Sequence, residues 1–217
     1  MQQPDHTEAT AMSDHDLHPL VTATYVALAE LLDPLSAARW DTPSTCEGWR
    51  VREVVAHLTM PARYSEDAFM AELREDAFDF TRLSNRIASR DAKLSTGELV
   101  RNLRDEALHR WTPPGGGYHG ALNHVVIHAL DITVPLGEPR PASDTAIRTV
   151  LDDLTEGGGH AHFGTDIQGR KLNATDIDWS YGSGPELAGT AADVALHICG
   201  RTVPPDRLQG DELAHLN

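Results

Sequence analysis

Residues 121–137, ALNHVVIHALDITVPLG, constrain this chain more than any other segment. The run is apolar around its whole circumference and is bounded by breakers: PPGGGYHG before it, and Pro135, Gly137, Pro139 and Pro141 around its end. Val125, Val126, Ile127, Ile132, Thr133 and Val134 are β-branched, so propensity alone favours a strand. His124 and His128 argue for a helix. Four positions on an α-helix turn through about 400°, which puts both rings on one face a turn apart, close enough to grip one metal ion. On a strand the same spacing shares a face but leaves the rings too far apart. An all-round apolar segment should be buried, and its imidazoles with it. Buried polar groups need partners, and one ion satisfies both. Taken alone, two histidines four apart also suit satisfied core residues.

Charge excludes several partners. The formal net charge is -15, and no Lys/Arg stripe breaks it. Phosphate binding needs a basic surface, so nucleic acid and anionic membrane are not expected partners. The N-terminal stretch MQQPDHTEATAMSDHD lacks an apolar core and does not read as a signal peptide. No apolar run reaches membrane-spanning length. The two cysteines, Cys46 and Cys199, suggest no disulfide framework, and the expectation is a reducing cytoplasm with both thiols free. The 217 residues suffice for a sizeable core in one large domain or two small ones.

Along the chain, residues 1–12 read as a disordered tail. Apolar residues at helical spacing from Leu17 to Leu35 predict a first helix, with Pro34 near its end. Residues 39–49 read as an ordered loop anchored by Trp40 and Trp49. A second helix follows from Val51, with Pro61 expected to kink it or start a new segment. Residues 76–90 read as a polar, charged stretch. Ser95 and Glu98 form a capping box for a third helix reaching about Trp111. A helix from about Asp144 to Glu156 ends at Gly157-Gly158-Gly159. Residues 171–181 suggest a short strand or two, GSGPELAG a turn, residues 190–199 a last helix, and the remainder a polar tail. The proline-rich stretch at 135–141 marks the expected domain boundary, giving units of 13–138 and 139–217.

His57 is the natural third ligand, because it ends the apolar stripe VREVVAH. Asp131 is three residues past His128 and can receive an imidazole N–H. The protease HExxH reading is excluded, since Val125 stands where the glutamate base belongs. His109 and His119 flank a loop and could line a cavity mouth. His160 and His162 are expected to be exposed, and His197 to pack in the last helix; His6, His15, His18 and His215 are terminal. The cysteines lack CxxC spacing, and neither sits beside an evident activating base.

Three signatures in order resemble a known family. The first is Trp40-Asp41, Thr45-Cys46-Glu47-Gly48-Trp49 and Val51-Arg52-Glu53-Val54-Val55-Ala56-His57-Leu58. The second is His128-Ala129-Leu130-Asp131-Ile132 with Pro135-Leu136-Gly137. The third is Ala174-Thr175-Asp176-Ile177-Asp178-Trp179, Gly182-Ser183-Gly184-Pro185-Glu186 and Gly200-Arg201. The pattern resembles the mycothiol-dependent maleylpyruvate isomerase family, within the wider DinB/YfiT-like superfamily, from residue 17 to about 207. The resemblance implies an α+β chain: a DinB-like four-helix bundle followed by a small C-terminal α/β domain. It also implies a divalent metal at the bundle's open end, held by His57, His124 and His128. Zinc is the expected ion, and imidazole also suits nickel and iron. Many isomerase-like members carry Glu at position 124; His there, as in the DinB/YfiT branch, leaves the ion its full charge. Arg50 departs from the small hydroxyl residue common in relatives, which would cap a helix better.

Three protein ligands leave a coordination position open, the mark of a catalytic site. The resemblance then implies a small thiol, mycothiol, as cosubstrate for an S-transferase or thiol-assisted isomerase acting on an electrophile. Arg201 matches the family's C-terminal motif and is the candidate for binding an anionic substrate; as a helix-end cation it would instead serve the dipole. Asp131 is its catalytic companion. Trp49, Asp131 and Trp179 could also shape the cavity, though a structural role is the better reading for all three. Alternatives are a non-catalytic, metal-stabilised binding or regulatory protein, and a metal-dependent hydrolase. The chain is expected as a monomer or homodimer.

Overall fold

The computed structural model describes residues 12–210, so the expectation of a disordered tail falls almost wholly outside the described residues, as do His6 and His215. Helix α1 spans Asp14–Leu32 and buries Leu17, Val21, Tyr25, Leu28 and Leu32, a 3.6-residue stripe. It packs along α9 (Gly117–Leu136), which carries the all-round apolar segment as a helix. Eleven α9 residues are buried, among them Leu122, Val125, Val126, Leu130 and Ile132. Contacts from α1, α3 (Val51–Leu58), α10 (Asp144–Thr155) and α11 (Ala191–Ile198) surround it. Tertiary burial thus overrides the β-branched propensity of this stretch. Helix α9 begins inside PPGGGYHG, earlier than the breaker suggests, and ends at Gly137, whose φ of +66° is the left-handed conformation glycine adopts without strain.

The expected second helix is three pieces: α3, α4 (Met60–Arg63) and α5 (Glu66–Glu75). Pro61 lies just inside α4, where its missing N–H costs nothing. A short α2 (Ala37–Trp40) precedes the loop to α3, and Trp40 is fully buried. Residues 76–90 correct the sequence expectation, because α6 (Phe80–Asp91) runs through them. Asp79 caps it by accepting the Arg82 N–H at 3.0 Å, and Leu83, Ile87 and Asp91 are buried four apart. Arginines at 82, 86 and 90 dominate the composition and mask that narrow stripe. The third expected helix divides into α7 (Thr96–Leu103), with the Ser95/Glu98 capping box in place, and α8 (Glu106–Arg110).

A four-stranded sheet of order β2-β1-β3-β4 follows α10. Strand β1 (Lys171–Ala174) pairs antiparallel with β2 (Trp179–Gly182) and parallel with β3 (Glu186–Gly189). Strand β3 also pairs antiparallel with β4 (Leu208–Gly210). Strands β3 and β4 are corrections: the first hides among the glycines and proline of GSGPELAG, the second in the polar tail. Helix α11 covers β1 and β3 and also touches α9 and α10. One hydrophobic core runs unbroken from Leu17 through Leu172 and Leu187 to Leu208. No helix among the described residues is long and apolar enough to cross a membrane.

Candidate metal centre

The site begins with a proline. Pro135 has no N–H, so the Asp131 carbonyl one turn back in α9 loses its helical partner. The backbone N–H of Thr45 takes that place at 3.1 Å. This docks the 44–49 loop on α9 and brings two donors to the Asp131 carboxylate. The Thr45 hydroxyl donates to Oδ1, and the Cys46 thiol donates to Oδ2 at 3.0 Å.

Arg201 arrives by another local rule. Helix α11 ends with Gly200 at φ +71°; the Gly200 N–H bonds His197 O at 2.9 Å and the Arg201 N–H bonds Leu196 O at 3.0 Å. That is a Schellman turn, and it swings Arg201 back under the bundle. Its Nε donates to Asp131 Oδ1 and its Nη2 to Oδ2, both at 3.1 Å, while Nη1 reaches the Cys199 carbonyl at 2.9 Å. The helix-end role expected of Arg201 is visible in its bond to the Cys199 carbonyl at the end of α11. Burial alone would push the Asp131 carboxyl up, but His128 and Arg201 outweigh it and hold the group well below the carboxylate range.

His57, His124 and His128 converge from α3 and α9. Their ring centroids lie 4.9–5.1 Å apart, and one nitrogen of each can be chosen so that all lie within 4.8 Å. His57 Nε2 and His124 Nε2 are 3.1 Å apart. Two nitrogens about 2.1 Å from a tetrahedral ion stand roughly 3.4 Å apart, so this spacing suits a shared cation. Burial and the neighbouring His128 push His57 down to about 3, and burial pushes His124 down as well. Both rings are therefore neutral at pH 7, the form that ligates. His128 Nδ1 lies 2.9 Å from Asp131 Oδ2, which fixes its tautomer and leaves Nε2 free. The donor set fits a divalent ion.

A cavity of about 360 Å³ adjoins the cluster, lined by Thr45, Cys46, Trp49, Asn85, His128 and Arg201 among others. Sequence reasoning missed Cys46, although it stands inside the first signature. Its thiol touches Asp131, and burial followed by that carboxylate pushes its pKa up, so it is a protonated donor and no nucleophile. Trp49 lines the cavity and packs on His57 with ring centroids 5.2 Å apart; Trp111 packs on His124 at 5.4 Å. Trp179 is elsewhere, buried in β2 and donating to Asp152 at 2.7 Å. His109 is buried, bonds the Leu103 carbonyl at 2.8 Å and stacks on Tyr25. His119 pairs with Asp153. Both cysteines are free.

The sequence matches the model of the mycothiol maleylpyruvate isomerase N-terminal domain over residues 21–133. The fold is similar to the crystal structure of a mycothiol-dependent maleylpyruvate isomerase, with a TM-score of 0.62, 15% identity, and coverage of 92% of this chain and 93% of that one. A histidine-to-alanine mutant of such an isomerase gives a TM-score of 0.62 at 14% identity over the same shares of the two chains. At such identities the likeness speaks to the fold. No curated protein matches the chain.

Proposed function

This chain belongs to the family of the mycothiol maleylpyruvate isomerase N-terminal domain, and from that membership we propose a cytoplasmic, metal-dependent enzyme that uses a small thiol, mycothiol, on an electrophilic substrate. The observation that carries the reading is the convergence of three imidazoles beside a cavity. His57, His124 and His128 would hold the ion, zinc being the first candidate. A bound divalent cation lowers the pKa of a thiol from its usual value of about 8.5, which supplies a thiolate at neutral pH.

The chain's own residues do the rest. Asp131 holds the His128 tautomer and anchors Arg201. Arg201 donates to Asp131, the Cys199 carbonyl and the Cys46 sulfur, and its positive charge at the cavity wall would attract an anionic group of the substrate. Trp49 and its loop neighbours Thr45 and Cys46 form one wall of the cavity. The thiolate sulfur would add to the electrophilic carbon of an activated double bond, whose π pair moves onto the electron-withdrawing group that activates it. If the adduct rotates and expels the thiol, the product is an isomer; if the carbon–sulfur bond stays, it is a thioether. With His at position 124, the three residues that would hold the ion are all imidazoles, which would leave it its full charge. We further propose that residues 13–138 form the metal-binding unit and 139–217 the unit that supplies Arg201.

Hydrolysis is disfavoured by Asp131, whose two oxygens already take bonds from Thr45, Cys46, His128 and Arg201 and have none to spare for a water. The test is elemental analysis of the wild type beside His57→Ala and His124→Ala, followed by mycothiol consumption with electrophiles. About one equivalent of metal, lost in both variants, is expected. Variants that keep full metal, or a loaded protein that neither binds nor consumes mycothiol, would refute the reading.

A further inference from the structure

The three imidazoles are not held alike. His128 has a carboxylate behind it, with Nδ1 2.9 Å from Asp131 Oδ2. The Nδ1 atoms of His57 and His124 are buried and have no hydrogen-bond partner among the described residues. Metal-ligating histidines nearly always donate their second N–H to a carboxylate, a carbonyl or water, and that bond fixes the ring's rotation. A ring without it can swing about its last torsion, which is intrinsically broad. Something else must therefore set the orientation of two of the three rings.

Two tryptophans rest against those two rings. Trp49 faces His57 with centroids 5.2 Å apart and planes tilted by 49°. Trp111 faces His124 at 5.4 Å and 59°. They come from separate loops. The Trp49 indole N–H donates to Asn85 Oδ1 at 2.8 Å, and its carbonyl accepts from the Ser44 N–H and hydroxyl at 2.9 and 2.8 Å. The Trp111 backbone N–H bonds the Leu108 carbonyl at 3.2 Å, which places its main chain at the end of α8. An indole is rigid, excludes water and offers at most a weak π acceptor to an N–H.

We propose that Trp49 and Trp111 are positioning residues of the metal centre, clamping His57 and His124 by aromatic contact where hydrogen bonds usually act. The inference rests on the metal reading above. It also means that two of the three ligands lack the carboxylate bond that raises imidazole basicity. Because Trp49 lines the cavity as well, an occupant there presses on the residue that orients His57.

The experiment uses the full chain with Trp49→Leu, Trp111→Leu, Trp49→Phe and Trp111→Phe. Zinc affinity is read by competition with a chromophoric chelator, ligand geometry by the visible absorption of the cobalt-loaded protein, and folding by far-ultraviolet circular dichroism of the metal-free form. Each leucine variant should lose about 10- to 100-fold in zinc affinity, the range typical of groups that orient metal ligands, and should change the cobalt spectrum. The phenylalanine variants, which restore a rigid ring, should recover most of both. If a leucine variant does not fold, the methionine variant replaces it with the same two outcomes. Leucine variants with wild-type affinity and spectrum would overturn the clamp alone. Wild-type protein that takes up neither zinc nor cobalt would overturn the metal reading and this inference with it.

Discussion

Asp131 shows how much one side chain can organise. It is fully buried, yet its carboxylate is bonded by Thr45, Cys46, His128 and Arg201. A buried charge is tolerable only when its lone pairs are met in this way. The sequence flagged Asp131 by its spacing from His128, but the other donors come from 85 or more positions before it and 70 after. His119 makes the opposite case, a partly exposed histidine whose partner sets its titration. The hydrogen bond that its ring donates to Asp153, opposed by some burial and aided by that carboxylate's charge, raises its pKa above the usual 6.5. The folded state therefore holds the His119 proton more tightly than the unfolded chain does. The stabilisation is complete below about pH 6.5 and fades as pH rises through the higher folded value. The gap in urea midpoint between wild type and His119→Gln should accordingly be larger at pH 5.5 than at pH 8.5; equal gaps would mean the pair is energetically silent.

Helices α5 and α6 are held by different forces from the rest of the bundle. Helix α5 has no buried residue. It leans on a small cluster of Met60, Leu83 and Ile87, with Phe69 and Leu73 packed beside them, and on ion pairs. Arg86 bonds Glu72 at 2.6 Å and Asp76 at 2.6 Å, and Arg90 bonds Glu72 at 2.9 Å. Asp76 is itself buried, so its pairing matters more than a surface bridge would. Arg86→Met should therefore loosen α5 selectively. Native-state hydrogen exchange should show faster exchange across residues 66–75, while α1 and α9 stay at the wild-type rate. Uniform acceleration along the chain would instead mean that α5 unfolds only with the whole molecule. The same elements explain the missed helix: arginines that read as loop in the sequence are the outer face of α6, partnered across space by α5.

At the scale of the whole molecule, the helical part and the sheet share one core. Leu172, Leu187 and Leu208 from the strands join the cluster that contains Leu28, Val54 and Leu130. Arg201, supplied from beyond the sheet, completes the Asp131 pair on α9. Breaking that buried pair from one side typically costs about 3–5 kcal/mol. The two halves should therefore unfold together. Urea unfolding followed by tryptophan fluorescence and by far-ultraviolet circular dichroism should give coincident single transitions. Two separated transitions would mean that the shared apolar contacts are weak and the halves fold independently.

Local chemistry and periodicity sufficed for part of this. The central helix, the His57, His124 and His128 set, the Ser95 cap, the break at Pro61 and the two strands β1 and β2 follow from spacing, breakers and burial preference, which are properties of neighbouring residues. The family signatures pointed to Arg201. The tertiary structure alone decided the helix at 80–91, the strands β3 and β4, the place of Cys46 at Asp131, and the two tryptophans behind His57 and His124. Each of those depends on groups distant in the chain: an arginine face answered by another helix, a short glycine-bounded strand held by two neighbours, a carbonyl freed by Pro135 and taken by Thr45. A sequence carries no record of such distances, because the entropy of closing those loops is overcome only when the whole core forms at once.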